Sequence, residues 1–169
     1  ENGLLRGFQL WINLPSAHKM DHPEYQEYDA AGFPVIDKDG YRLKLLMGSY
    51  GSVQAPIEED ITHVQYYDVD VEPGQGFVHQ LPQGHNGFLY VFEGNGNLSN
   101  QPVARHTLVT FGGNSNGIDF VAGNQGARFI VGSGKPIDEP VVQYGPFVMN
   151  TKTEIQQAIT DYQQGKLTA

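Results

Sequence analysis

Thr62-His-Val-Gln-Tyr-Tyr-Asp-Val-Asp-Val-Glu-Pro-Gly74 decides the fold. Tyr67, Val69 and Val71 alternate with Asp68, Asp70 and Glu72, a period of two with one greasy and one wet face. Pro73-Gly74 then turns the chain. Similar short runs flank it. Residues 41–47 place Leu43, Leu45 and Met47 on one side, and 87–93 is rich in aromatics before Gly94-Asn-Gly96. Segments 107–111, 117–122 and 127–131 follow, with turns expected at 112–117 and at Gly123-Asn-Gln-Gly126. Strands at this spacing, with no helices between them, predict an all-β antiparallel sandwich or barrel.

Gly7-Phe-Gln-Leu-Trp-Ile-Asn-Leu14 reads as a further strand, with Phe8, Leu10 and Ile12 on one face, Trp11 on the other, and Pro15 as its stop. Residues 16–39 are polar and aperiodic, an excursion for which Tyr25 and Tyr28 are the expected packing anchors. One helix is expected, at 151–165. Thr151-Lys-Thr-Glu154 has capping-box spacing, Ile155, Ala158, Ile159 and Tyr162 form one apolar stripe, and Gly165 is the stop. The expected organisation is a single domain: strand and excursion 1–40, barrel 41–149, helix 151–165.

Composition narrows the function. The 169 residues include 21 glycines and 10 prolines, a load that suits many turns rather than a helical bundle. There is no cysteine, which excludes a disulfide scaffold, a thiolate metal site and a cysteine nucleophile, and fits a reducing, cytoplasmic setting. The net charge is −9, and no window is basic enough for direct contact with nucleic acid. Such a charge keeps a protein soluble and leaves open an acidic face for a basic protein partner. No apolar run reaches the ~18–20 residues that span a bilayer. The chain starts at Glu1 rather than Met, so an upstream segment is expected to have been removed.

The chemistry-bearing stretch is Pro73-Gly74 to Gly94. It resembles the first motif of the cupin superfamily, a jelly-roll-like β-barrel that often holds a metal. That motif needs two His at i and i+2, which share a strand face, then a Glu and a closing Gly. With Gly94 as the closing Gly, the ligand positions carry Leu81, Gln83 and Gly87. The second motif would need a His near 123–126, and none is present. His79, His85, His106 and Glu93 are the candidates for a displaced site, and the alternative makes His79 and His85 rim residues. His18, His22 and His63 read as surface. Gly132-Ser-Gly134-Lys135-Pro136 is no phosphate loop, Glu58-Glu59-Asp60 reads as a solvated acidic run, and Asn97-Leu98-Ser99 is a glycosylation sequon without a secretory context.

Two stretches carry a more specific likeness. Residues 7–15, with Lys19-Met20 and Pro23-Glu-Tyr-Gln26, resemble the middle segment of the pirin family. Glu139-Pro-Val-Val-Gln-Tyr-Gly-Pro-Phe-Val-Met-Asn-Thr151, leading into Glu154, resembles its C-terminal signature. Pirins are two-domain cupins. The resemblance implies that this chain is the C-terminal half, and that iron or another divalent metal belongs to a missing N-terminal half. It implies no catalytic or metal-binding residue here. The implied roles are structural support for a quercetin dioxygenase-like N-terminal domain or, alternatively, a protein-interaction module of a transcriptional co-regulator. The expected partner is the chain's own N-terminal cupin domain, met at a junction that includes Trp11, Phe147 and Met149. If that cover is missing, Trp11 and residues 147–149 expose an apolar patch.

Overall fold

A computed structural model describes residues 7–57, 60–112, 115 and 117–167. Glu58 and Glu59 of the acidic run, and Gly113, Asn114 and Asn116 of the glycine-rich turn, lie outside these residues. The chain forms two compact units, 26–136 and a second made of its two ends, 1–25 with 137–169.

The larger unit is antiparallel. Its strands are β1 (Val35–Lys38), β2 (Tyr41–Met47), β3 (Ser49–Tyr50), β4 (Val53–Gln54), β5 (Gln65–Val71), β6 (Gly76–His79), β7 (Asn86–Leu98), β8 (Gln101–Val103), β9 (Leu108–Phe111) and β10 (Ile118–Gly134). The main sheet runs β1-β2-β5-β10-β7-β8, with β6 on β10 and β9 on β7; β3 and β4 form a separate hairpin. The alternation in β5 does what the sequence predicts: Tyr67, Val69 and Val71 are fully buried, opposite Leu45, Leu43 and Tyr41 of β2. On the outer face Asp68 accepts two hydrogen bonds from Arg128, whose guanidinium lies 5.4 Å from the centre of the Phe92 ring.

One expected strand end and one expected turn are neither. Gly94-Asn-Gly96 lies inside β7, and Gly123-Asn-Gln-Gly126 lies inside β10. The glycines bend two long strands rather than ending them. Residues 118–121 of β10 pair with β6, whereas 127–133 pair with β5, and the register against β7 shifts between Ala122 and Ala127. One strand thus serves two layers, as a bulge at a sheet corner allows. Gly94 and Gly126 both have positive φ, and a Cβ on Gly94 would stand 2.0 Å from the Gly126 carbonyl oxygen. Across the corner Phe129 meets Phe77 and Phe120, with ring centres 5.6 and 4.8 Å apart. The result is a sandwich rather than a closed barrel.

The second unit differs most from expectation. Residues 7–14 form no strand, since among the described strands none has them in its ladder, and alternation alone does not make a strand. Tyr25, expected as a packing anchor, is 86% exposed. Tyr28, in the larger unit, does anchor: its hydroxyl donates to the Pro56 carbonyl and its ring meets Phe33 edge-on. In the C-terminal part, β11 (Val142–Tyr144) and β12 (Phe147–Met149) make a hairpin, followed by α1 (Lys152–Gln163). The capping box forms as expected, with the Glu154 N–H donating to Thr151 and the Thr151 N–H to the Glu154 carboxylate. The Lys166 and Gly165 N–H groups donate to the Asp161 and Tyr162 carbonyls, closing the helix in a Schellman motif with Gly165 left-handed. Ile155 and Ala158 are buried, but Tyr162 is exposed and meets Phe147 only by its ring edge.

Gly94→Ala places a side chain at positive φ against backbone, so it is expected to cost about 3 kcal/mol or more. Urea unfolding followed by tryptophan-independent circular dichroism checks this, and Gly51→Ala, where a Cβ meets nothing within 4 Å, serves as the control.

Candidate functional site

Along β6 the inward residues are Phe77 and His79, with Val78 facing out between them. The sequence reading put His79 at the rim. In the structure its ring stacks on Tyr50 at 5.4 Å, meets the Tyr67 ring edge-on at 5.3 Å and lies 6.0 Å from Phe77. The alternation that buries Phe77 turns the residue two further on to the same side, where it is half-buried, a signal present in the sequence. The hydroxyls of Tyr41 and Tyr50 are 2.8 Å apart, and the Tyr67 hydroxyl donates to the Ser49 carbonyl at 2.6 Å. The His79 Nε2 atom is buried with no hydrogen-bond partner. Burial pushes its pKa below the usual imidazole value and pushes Tyr50 and Tyr67 up. At neutral pH this is a cluster of uncharged rings.

The other candidates lie apart from it. Glu93 is exposed on the outer face, opposite Arg128 in register. His106 sits exposed in the turn before β9, with φ +66° and its N–H bonded to the Val91 carbonyl. His85 is 8% exposed and lines a cleft with His63 at one end of the larger unit. Of the motif positions, Gln83 is exposed, and the Leu81 Cδ1 atom fills the space beside Gly87, 3.0 Å from where a Cβ would stand. Among the described residues no three His, Asp or Glu side chains gather as metal ligands. The donor set and packing of this interior do not fit a divalent ion.

The second unit brings together the three residues expected at a domain junction. Trp11, Phe147 and Met149 line one cleft of about 500 Å³, with Ile12, Met20 and Leu167. Trp11 is 61% and Met20 60% exposed. Polar bonds hold the walls. Lys19 donates to the Asn13 side chain at 2.5 Å, and the Glu139 carboxylate accepts from the Ser16 N–H at 2.8 Å and from Asn150 Nδ2 at 2.7 Å. These bonds, the Ser16 N–H foremost, hold the Glu139 carboxyl below its usual pKa. His18 bonds to Asp21 and His22 to the Pro23 carbonyl, within their own polar segment.

The family model of the pirin C-terminal cupin domain matches residues 66–168. Pirin-like protein 2 of Arabidopsis thaliana is 37% identical over 98% of the chain, which covers 54% of that protein. A pirin-like protein of Solanum lycopersicum is 40% identical over 97% of the chain, covering 57% of that protein. The crystal structure of a quercetin 2,3-dioxygenase from Acinetobacter baumannii superposes with a TM-score of 0.83 at 31% identity, over 94% of this chain and 56% of that one. The chain thus spans a little over half the length of the relatives it matches.

The histidine geometry fixes a pH dependence. His79 and His85 have depressed pKa values in the fold, so their contribution is complete above the unfolded-state value of about 6.5 and is lost as pH falls through the folded values. Stability should fall below that pH, by up to about 1.4 kcal/mol per pH unit for each histidine. His79→Phe should remove its share of the slope and, by deleting an unpaired buried nitrogen, leave stability at pH 7.5 unchanged or raised by about 1 kcal/mol. Urea titrations at pH 5.5, 6.5 and 7.5 measure both effects.

Proposed function

Because the chain belongs to the pirin family and carries its C-terminal cupin domain, we propose that it is the supporting half of a two-domain protein whose N-terminal half holds the metal. The observation that carries this reading is the exposed cleft of Trp11, Phe147 and Met149. An apolar surface of this kind marks an interaction site, and a large aromatic residue is the usual energetic centre of one. The filled aromatic interior around His79 supports the same division of labour. Redox chemistry, in this reading flavonol oxidation on iron or another divalent metal, belongs to the partner half, and this half supplies a docking face.

Trp11 is the only tryptophan, so its fluorescence reports the junction directly. The N-terminal half encoded by the same gene, expressed separately, should form a 1:1 complex with this chain and shift the Trp11 emission to the blue. Trp11→Ala should weaken the complex about 30-fold or more, measured by calorimetry. A gene product that begins at Glu1, or a complex indifferent to Trp11→Ala, overturns the proposal. In a second test the untagged chain is loaded with ferrous iron and dialysed. It should retain far less than one equivalent and show no oxygen uptake with quercetin above a free-metal blank. Stoichiometric iron that His79→Ala abolishes would make His79 a ligand instead.

A further inference from the structure

Segment 9–14 has the alternation of a strand without the pairing of one. Leu10 and Ile12 fall on one face, and Gln9, Trp11 and Asn13 on the other. Yet these residues belong to no ladder among the described residues, and their backbone groups bond to no other described residue. Neither face is covered, since Ile12 is exposed on one and Trp11 on the other. A bare strand edge is normally guarded by charge or proline, and from Gln9 to Leu14 there is neither. The walls of the Trp11 cleft show which way this edge faces. A strand that turns a side-chain face to a cavity contributes alternate residues, whereas one that turns its edge contributes consecutive ones. Residues 11–14 line the cleft consecutively, and so do residues 146–149, which include β12. In β12 every second residue spends its N–H and C=O on β11, and the others turn theirs to the far edge, which no described strand pairs.

Size agrees with a backbone occupant. Rise, strand spacing and sheet spacing give roughly 160 Å³ per strand residue. The cleft volume of about 500 Å³ therefore holds about three residues of an added strand. Strand addition takes its affinity from main-chain bonds and its specificity from side-chain pockets, here the one that Trp11, Met20 and Phe147 line. We propose that the cleft receives an extended apolar segment of the N-terminal half, whose backbone pairs with residues 9–14 and makes them a strand of a sheet shared by the two halves. This inference rests on the docking reading above and deepens it. In that reading residues 9–14 follow directly on the N-terminal half, so the pairing is intramolecular, which favours it over a second copy of this chain.

The test uses the intact two-domain protein encoded by the same gene. Nuclear Overhauser contacts between backbone protons of 9–14 and a segment of the N-terminal half are the expected result, because a ladder brings two backbones together and side-chain docking does not. Gln9→Pro and Ile12→Pro remove N–H groups of opposite parity, so one of them strikes the ladder whichever edge it uses. Gln9→Ala and Ile12→Ala keep the N–H and serve as controls. Both positions lie outside every described ladder of this chain, and circular dichroism of the variants checks their folding. At least one proline variant should lose the contacts and speed limited proteolysis between the halves about 10-fold or more, with its alanine counterpart within about 3-fold of the parent. Proline and alanine variants of equal effect overturn the proposal. Trp11 emission reports docking independently of the backbone. Emission blue-shifted from that of the isolated chain, without backbone contacts, overturns the shared strand and leaves the docking reading standing. Emission identical in the two proteins overturns both. Contacts that prove to run between two copies, in a mixture of labelled and unlabelled protein, overturn the assigned occupant.

Discussion

The contact of Phe129 with Phe77 and Phe120 depends on two strands passing through a corner. Those rings belong to different layers. They meet because β10 pairs with β6 in its first part and with β5 in its second, and because Gly94 and Gly126 let two backbones approach where no side chain fits. The alternation in β2, β5 and β6 then fills the space so defined. Packing of this kind is intolerant of volume changes, so the corner sets which residues face inward everywhere else.

The same geometry determines the chemistry of the interior. Position 79 faces the layer of tyrosine and phenylalanine rings, and an imidazole there stays neutral because charging it means desolvation without a partner. Gly87 leaves room that Leu81 fills. The larger clefts lie elsewhere, around His85 in this unit and beside Trp11 in the second. In the account proposed here, one half of a two-cupin protein has turned its interior to packing and its surface to partners.

Much of this was legible in the sequence, for physical reasons that vary by element. β5 and the helix cap were readable because period-two alternation and a Thr-x-x-Glu pair are local signals. The bends inside β7 and β10 were not, because glycine clusters mark a turn and a bulge alike, and only long-range pairing separates them. Segment 7–14 alternates as a strand should, yet strand formation depends on a neighbour that local sequence does not supply. Trp11 was named from the likeness of residues 7–15 to the family and Phe147 and Met149 from that of 139–151, and the structure lines one cleft with all three. The inward facing of His79 could have been read from Phe77, while the His63 and His85 cleft depends on a hairpin, a loop and a strand that meet only in the fold.

The central claim is that this half acts through its Trp11 face. Hydrogen–deuterium exchange of the chain alone against the intact two-domain protein tests it most directly. Residues 9–14 belong to no ladder among the described residues, so their amides should exchange rapidly in the isolated chain. The account predicts that in the intact protein protection rises in 8–23 and 142–149, with the strands of the larger unit unchanged. Equal exchange in both proteins at those segments, or protection concentrated on the larger unit, would contradict it.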